Sequence, residues 1–135
     1  MKLIFAPGSR KMYRKRVTRE DFAAFHGKVV HPVCATFSLA RDFEWSSRLF
    51  FLEMMEDDEE GVGTFLSIEH KSPAFLDDEI VFTATVIKIQ GHELTCAIDA
   101  RVGDRLIATG TTGQRMLTKE KIKELFGDRT TTAME

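Results

Sequence analysis

The stretch TFSLARDFEWSSRLFFLEM, residues 36–54, decides the fold. Within it Phe37, Ala40, Phe43, Ser47, Phe50, Phe51 and Met54 recur at three- and four-residue steps, the spacing of one face of a helix. Trp45, Leu49 and Leu52 widen that face beyond a narrow stripe. The helix is therefore expected to be covered on most sides, with Phe37, Phe43 and Phe50 in the core. On the same winding stands Glu44. A carboxylate held among apolar side chains is costly unless it is paired or put to chemical use, so Glu44 is a candidate functional residue. Downstream, the run EDDEE at 56–60 places negative charge where the helix macrodipole disfavours it. That predicts a frayed, solvated acidic end before Gly61.

After Gly61 the period changes from about 3.6 to two, and the residues become β-branched and aromatic. VGTFLSIEH (62–70), EIVFTATVIKIQ (79–90), ELTCAIDARV (93–102) and RLIATGTTGQRML (105–117) read as four strands. The short links around Gly91 and Gly103 make the last three an antiparallel meander, while SPAFLDD (72–78) is a longer turn. TKEKIKELFGD then reads as a short amphipathic helix, with Thr118 as its N-cap and Gly127 as its stop.

Upstream, RKMYRKRVT (10–18) alternates weakly and predicts an exposed edge strand. Its lysines and arginines guard the edge against aggregation more readily than they serve a phosphorylated ligand. Residues 20–31 show no clear period and are expected to form a short helix or turn and then a loop to Pro32. One strand, one long helix and four antiparallel strands give an α+β fold. A curved antiparallel sheet of about five strands wraps one long central helix, the hotdog arrangement. Such a sheet leaves an open edge, and pairing with a second copy closes it. A homodimer is expected.

The 135 residues are enough for one domain, taken as 1–128, with 129–135 as a disordered tail. A net charge of −2 excludes a general nucleic-acid binder, which needs a basic surplus. No run approaches the length of a membrane helix, and MKLIFAPG is too short for a signal peptide. Cys34 and Cys96 have apolar neighbours and no partner motif, so they read as buried free thiols in a reducing cytoplasm. His26, His31 and His92 have no ligand at metal spacing, and no metal is expected.

Ala35-Thr36, Glu44-Trp45, Gly63-Thr64, His70 and Arg115 together resemble the hotdog acyl-CoA thioesterases related to fluoroacetyl-CoA thioesterase. The specific part is the spacing: Thr36 precedes Glu44 by eight residues and His70 follows Glu44 by twenty-six. The resemblance covers about residues 30–118. It implies that Thr36, Glu44 and His70 are catalytic, that Gly63, Thr64 and Arg115 bind substrate, and that no cofactor is used, coenzyme A being part of the substrate. Two features depart from the family. Gly27 and Val30 stand where it carries the phenylalanines of a lid, and Phe75-Leu76-Asp77 replaces its turn after the histidine. The chemistry suits thioester hydrolysis: a carboxylate, a histidine as proton carrier, and a hydroxyl beside free helix N–H groups able to stabilise an oxyanion. Taken singly, Thr36 reads as a helix cap. The alternative for the whole chain is a catalytically silent hotdog domain that binds acyl-CoA or a hydrophobic ligand. Eight helical residues rise about 12 Å, so Thr36 cannot touch Glu44 within one regular helix. Either the segment before the helix folds back, or a second copy completes the site.

Overall fold

The computed structural model describes residues 1–127; the disordered tail expected for 129–135 lies outside them. The strand at Arg10–Arg16 (β1) leads through a single 3-10 turn, Arg19–Asp21, into a hairpin of Phe22–Phe25 (β2) and Lys28–Cys34 (β3). The helix Thr36–Met54 (α1) follows. Then come Glu59–His70 (β4), Glu79–Gln90 (β5), Glu93–Val102 (β6), Arg105–Thr118 (β7) and the short helix Lys119–Phe126 (α2). The main sheet runs β1-β5-β6-β7-β4, antiparallel throughout, and β2 and β3 form a separate two-stranded sheet. The expected five-stranded sheet around one long helix is present. Thr118 caps α2 as its sequence suggests, its hydroxyl accepting from the Lys121 amide at 3.0 Å.

Local chemistry explains the hairpins. Gly91 and Gly103 each take a positive φ, 60° and 56°, at the first position of two-residue links, the conformation of a type II′ turn. Phe43, Phe50, Phe51 and Met54 of α1 are fully buried against Phe82 and Val86 of β5 and Ile107 and Met116 of β7. Gly110 is forced by close approach: a Cβ there would lie 2.0 Å from the Ser67 carbonyl oxygen and 2.9 Å from the Phe43 ring. Gly110→Ala is expected to lower unfolding free energy by about 1–3 kcal/mol, as overpacking does, measured as a fall in denaturant midpoint.

Five expectations need correction. Residues 22–34 form a hairpin, turning at His26 and Gly27 with φ of 53° and 79°, where a loop was expected. Phe37 is 52% exposed, because it lies on the side of α1 away from the sheet. Trp45 and Leu52 share that side and are exposed as well, so the helix is not covered on most sides. The acidic run does not fray: α1 ends at Met54, and Glu59 and Glu60 already belong to β4. Glu59 accepts from the Glu56 amide and Glu60 from Arg48, which removes both from the dipole's repulsion. Finally, the basic strand β1 is an edge, as its sequence indicates, but Lys15 is not a solvated guard. Its ammonium turns inward between Asp21 at 2.7 Å and Asp42 at 2.9 Å.

Candidate active site

Thr36 is the first residue of α1, and the N-cap position belongs to Ala35, which has no capping side chain. Freed from capping, the Thr36 hydroxyl lies 3.0 Å from His70 Nδ1. The amides of Thr36, Phe37 and Ser38 find no acceptor among the described residues, so three helix donors stand beside that hydroxyl. His70 Nε2 is enclosed yet has no partner among the described residues, an uncommon state for a buried ring nitrogen. With the proton on Nε2, Nδ1 accepts from the threonine. With it on Nδ1, the threonine oxygen accepts.

His70 and Gly63 both face the helix although seven residues separate them, an odd number that would put them on opposite faces of a regular strand. A bulge at Thr64 reconciles this: the register passes from Gly63 opposite Gln114 to Phe65 opposite Gly113. Upstream of it Gly61 and Gly63 point inward, and downstream His70 does, opposite the buried Ala108. Gly63 is where β4 receives Glu44; a Cβ there would come within 3.2 Å of Glu44 Oε1.

Glu44, with Gly63, lines a cavity of about 250 Å³ together with Arg41, Trp45, Arg48 and Gln114. Arg41 and Arg48 stand one turn before and one turn after Glu44 on the same helix face. Each is held from behind, Arg41 by Asp21 and Asp42, and Arg48 by Glu60 and the Gly61 carbonyl. Glu44 is exposed on this open face, not enclosed by its own chain as its apolar setting suggested.

Of the sequence-derived set, Thr36 and His70 are in contact, and Glu44 and Gly63 are in contact, one helical run further along. Thr64 and Arg115 join neither pair. Thr64 is the bulged residue, its hydroxyl close to Gly113 on the outer face of the sheet. Arg115 pairs with Glu93 on that same outer face. The residue that β7 does present to the site is Gln114, 5% exposed. Period two supplied the signal, since Met116 is apolar and core-like and Gln114 shares its face.

A second group was not anticipated. Asp21 is 2% exposed and accepts from the Lys15 ammonium, the Arg41 guanidinium and the Thr18 amide and hydroxyl. Its backbone carbonyl accepts from the Ala35 amide at 2.7 Å and the Ser38 hydroxyl at 3.3 Å. Asp21 therefore pins the start of α1 next to Thr36. Burial alone would push its carboxyl up, but Lys15 and Thr18 outweigh burial and hold it below the ordinary carboxylate range. Burial raises the Cys34 thiol to about 11 and the Cys96 thiol to about 12, so neither is a nucleophile. Among the described residues no three His, Cys, Asp or Glu side chains gather as a metal site would need, and no helix is long and apolar enough to cross a membrane.

An antiparallel sheet wrapped on one long helix defines the hotdog class, and here a hydroxyl–imidazole pair lies at the uncapped helix start. The chain belongs to the fluoroacetyl-CoA-specific thioesterase family, whose pattern matches residues 17–120, and it is a thioester hydrolase. Solved structures agree on the fold. A thioesterase-superfamily member from Thermus thermophilus is 27% identical, with a TM-score of 0.87 over 96% of each chain. A variant of the fluoroacetyl-CoA thioesterase FlK, solved with fluoroacetate and CoA, is 20% identical, with a TM-score of 0.80 over 87% of this chain and 99% of that one. A hot-dog-like protein from Thermanaerovibrio acidaminovorans is 18% identical, with a TM-score of 0.84 over 93% of each chain. No curated protein sequence matches the chain.

Proposed function

We propose that this protein hydrolyses a small acyl-CoA thioester, each site using Thr36 and His70 of one copy and Glu44 of a second copy in a homodimer. The observation that carries the reading is the 3.0 Å contact of the Thr36 hydroxyl with His70 Nδ1 at an uncapped helix start. That α1 is helical from Thr36 onward supports completion by a second copy over a fold-back of the preceding segment. Glu44 stays about 12 Å up the axis from Thr36 of its own chain. A neighbouring copy is the source that can bring a carboxylate to the Thr36–His70 pair. The exposed face of α1 carries Phe37, Trp45 and Leu52 around Glu44, and β4 beside it is an unpaired sheet edge. Covering both removes apolar surface and an open edge together.

In this arrangement the thioester carbonyl oxygen sits on the free amides of the helix start, where negative charge develops and is stabilised. The Glu44 carboxylate takes a proton from water as the water oxygen bonds to the carbonyl carbon, or it attacks that carbon itself to give a mixed anhydride that water then cleaves, restoring the carboxylate. The C–S bond breaks, His70 passes a proton to the departing coenzyme A sulfur and recovers one from the water consumed, and the water oxygen ends in the carboxylic acid. Coenzyme A enters only as part of the substrate. FlK holding CoA supports this choice of thioester.

Release of free thiol from a panel of acyl-CoA esters tests the reading, with short chains cleaved fastest; a protein that cleaves no CoA ester contradicts it. Within the panel, fluoroacetyl-CoA is expected to be favoured over acetyl-CoA by no large factor, because the family's lid phenylalanines are Gly27 and Val30 here. The structure does place Phe25, at the hairpin tip, edge-on to Phe37 beside Thr36, with ring centroids 6.1 Å apart. A strong fluorinated preference would transfer the lid role to that pair.

A further inference from the structure

We infer that the cavity beside Glu44 is built for an acyl group bearing a hydroxyl, with the Gln114 side-chain oxygen as its receptor. The inference rests on the reading above, that Glu44 acts on a small acyl-CoA thioester, and adds that the cavity Glu44 lines receives the acyl end. Gln114 Nε2 lies 2.8 Å from Ser47 Oγ. The single proton of that hydroxyl is already directed at helix carbonyls, that of Glu44 at 3.0 Å and that of Phe43 at 3.4 Å. Ser47 is thus left only to accept from Gln114, which fixes the carboxamide with its NH₂ toward the helix and its oxygen turned the other way. That oxygen meets no donor among the described residues, and it is not one of the enclosed unpartnered atoms. It therefore opens on the space that Gln114 lines with Glu44 and Gly63, its register partner.

The remaining wall argues against other acyl ends. The cavity's two cations, Arg41 and Arg48, each face carboxylates that balance their charge, Asp21 and Asp42 for the first and Glu60 for the second, so an acyl carboxylate gains little net positive field there. A hydrocarbon chain would cover the Gln114 oxygen without offering it a donor, which a site with a positioned acceptor penalises. A hydroxyl donates to it. The size, about 250 Å³, suits a short chain.

The test compares kcat/KM for three esters of matched length, butyryl-CoA, 3-hydroxybutyryl-CoA and succinyl-CoA, in the parent and in Gln114→Met, which keeps side-chain length and removes the acceptor. The parent should favour the hydroxylated ester over butyryl-CoA by about tenfold or more, and Gln114→Met should bring that ratio close to one. Equal rates for the two esters in the parent, or a preference for succinyl-CoA, would overturn this inference while leaving thioester hydrolysis standing. So would a hydroxyl preference that survives in Gln114→Met. A parent that cleaves none of the three but releases thiol from other CoA esters overturns it alone, and one that cleaves no CoA ester at all overturns the proposed function too. Should Gln114→Met fail to fold, the parent's ratio decides, and Gln114→Glu, which retains an oxygen acceptor, should keep the preference.

Discussion

Glu44→Gln and His70→Ala should each lower kcat for thioester hydrolysis by about 100-fold or more, the scale on which a positioned acid or base is lost. Glu44 lies on the exposed side of α1, and His70, although its ring faces inward at the end of β4, is only half-buried and stands outside the apolar core cluster. Thermal midpoints should therefore stay near that of the parent, which separates a chemical loss from an unfolded enzyme. Thr36 discriminates further. Thr36→Ala loses less than the other two if the hydroxyl only donates to the oxyanion, and as much if it attacks. Thr36→Ser should be tolerated in both cases, since the oxygen facing His70 Nδ1 is kept.

Asp21→Ala should lower unfolding free energy by about 3 kcal/mol, because it strips a partner from a buried ion cluster and leaves Lys15 and Arg41 to Asp42 alone. The effect has a pH signature. The Asp21 carboxyl is held below its ordinary value, so its contribution is complete above about pH 4 and is lost as pH falls through the lowered value. The gap between parent and Asp21→Asn in a denaturant titration should accordingly be widest near neutrality and shrink in acid. A gap that widened on acidification would mean that the carboxylate is not the ionised partner of Lys15.

The long helix and the meander were legible because each rests on a period the residues repeat many times. Which side of the helix meets the sheet was less so. Phe37, Trp45 and Leu52 are as apolar as Phe43 and Phe50, and periodicity does not distinguish a face turned to its own sheet from one left open. The hairpin of β2 and β3 was hidden by FAAF and by Pro32, which weaken both the alternation and the strand propensity. Thr36, Glu44 and His70 stood out through spacing and resemblance, yet the contact of Thr36 with His70 depends on the bulge at Thr64, which no local signal announced. The ion cluster was the least visible part. Lys15 sits in a basic run and Asp42 in RDFE, so both read as solvated charges, and only the fold brings them to Asp21.

The shared site is tested most directly by a mixed dimer. Chains carrying Glu44→Gln and His70→Ala, given different tags, are co-expressed and the heterodimer isolated through both. One site then keeps the His70 of the first chain with the Glu44 of the second, and the other site loses both. The heterodimer should recover about half of the parent turnover per dimer, although each variant alone is nearly inactive. A pure heterodimer no more active than either variant homodimer would contradict a site built from two copies.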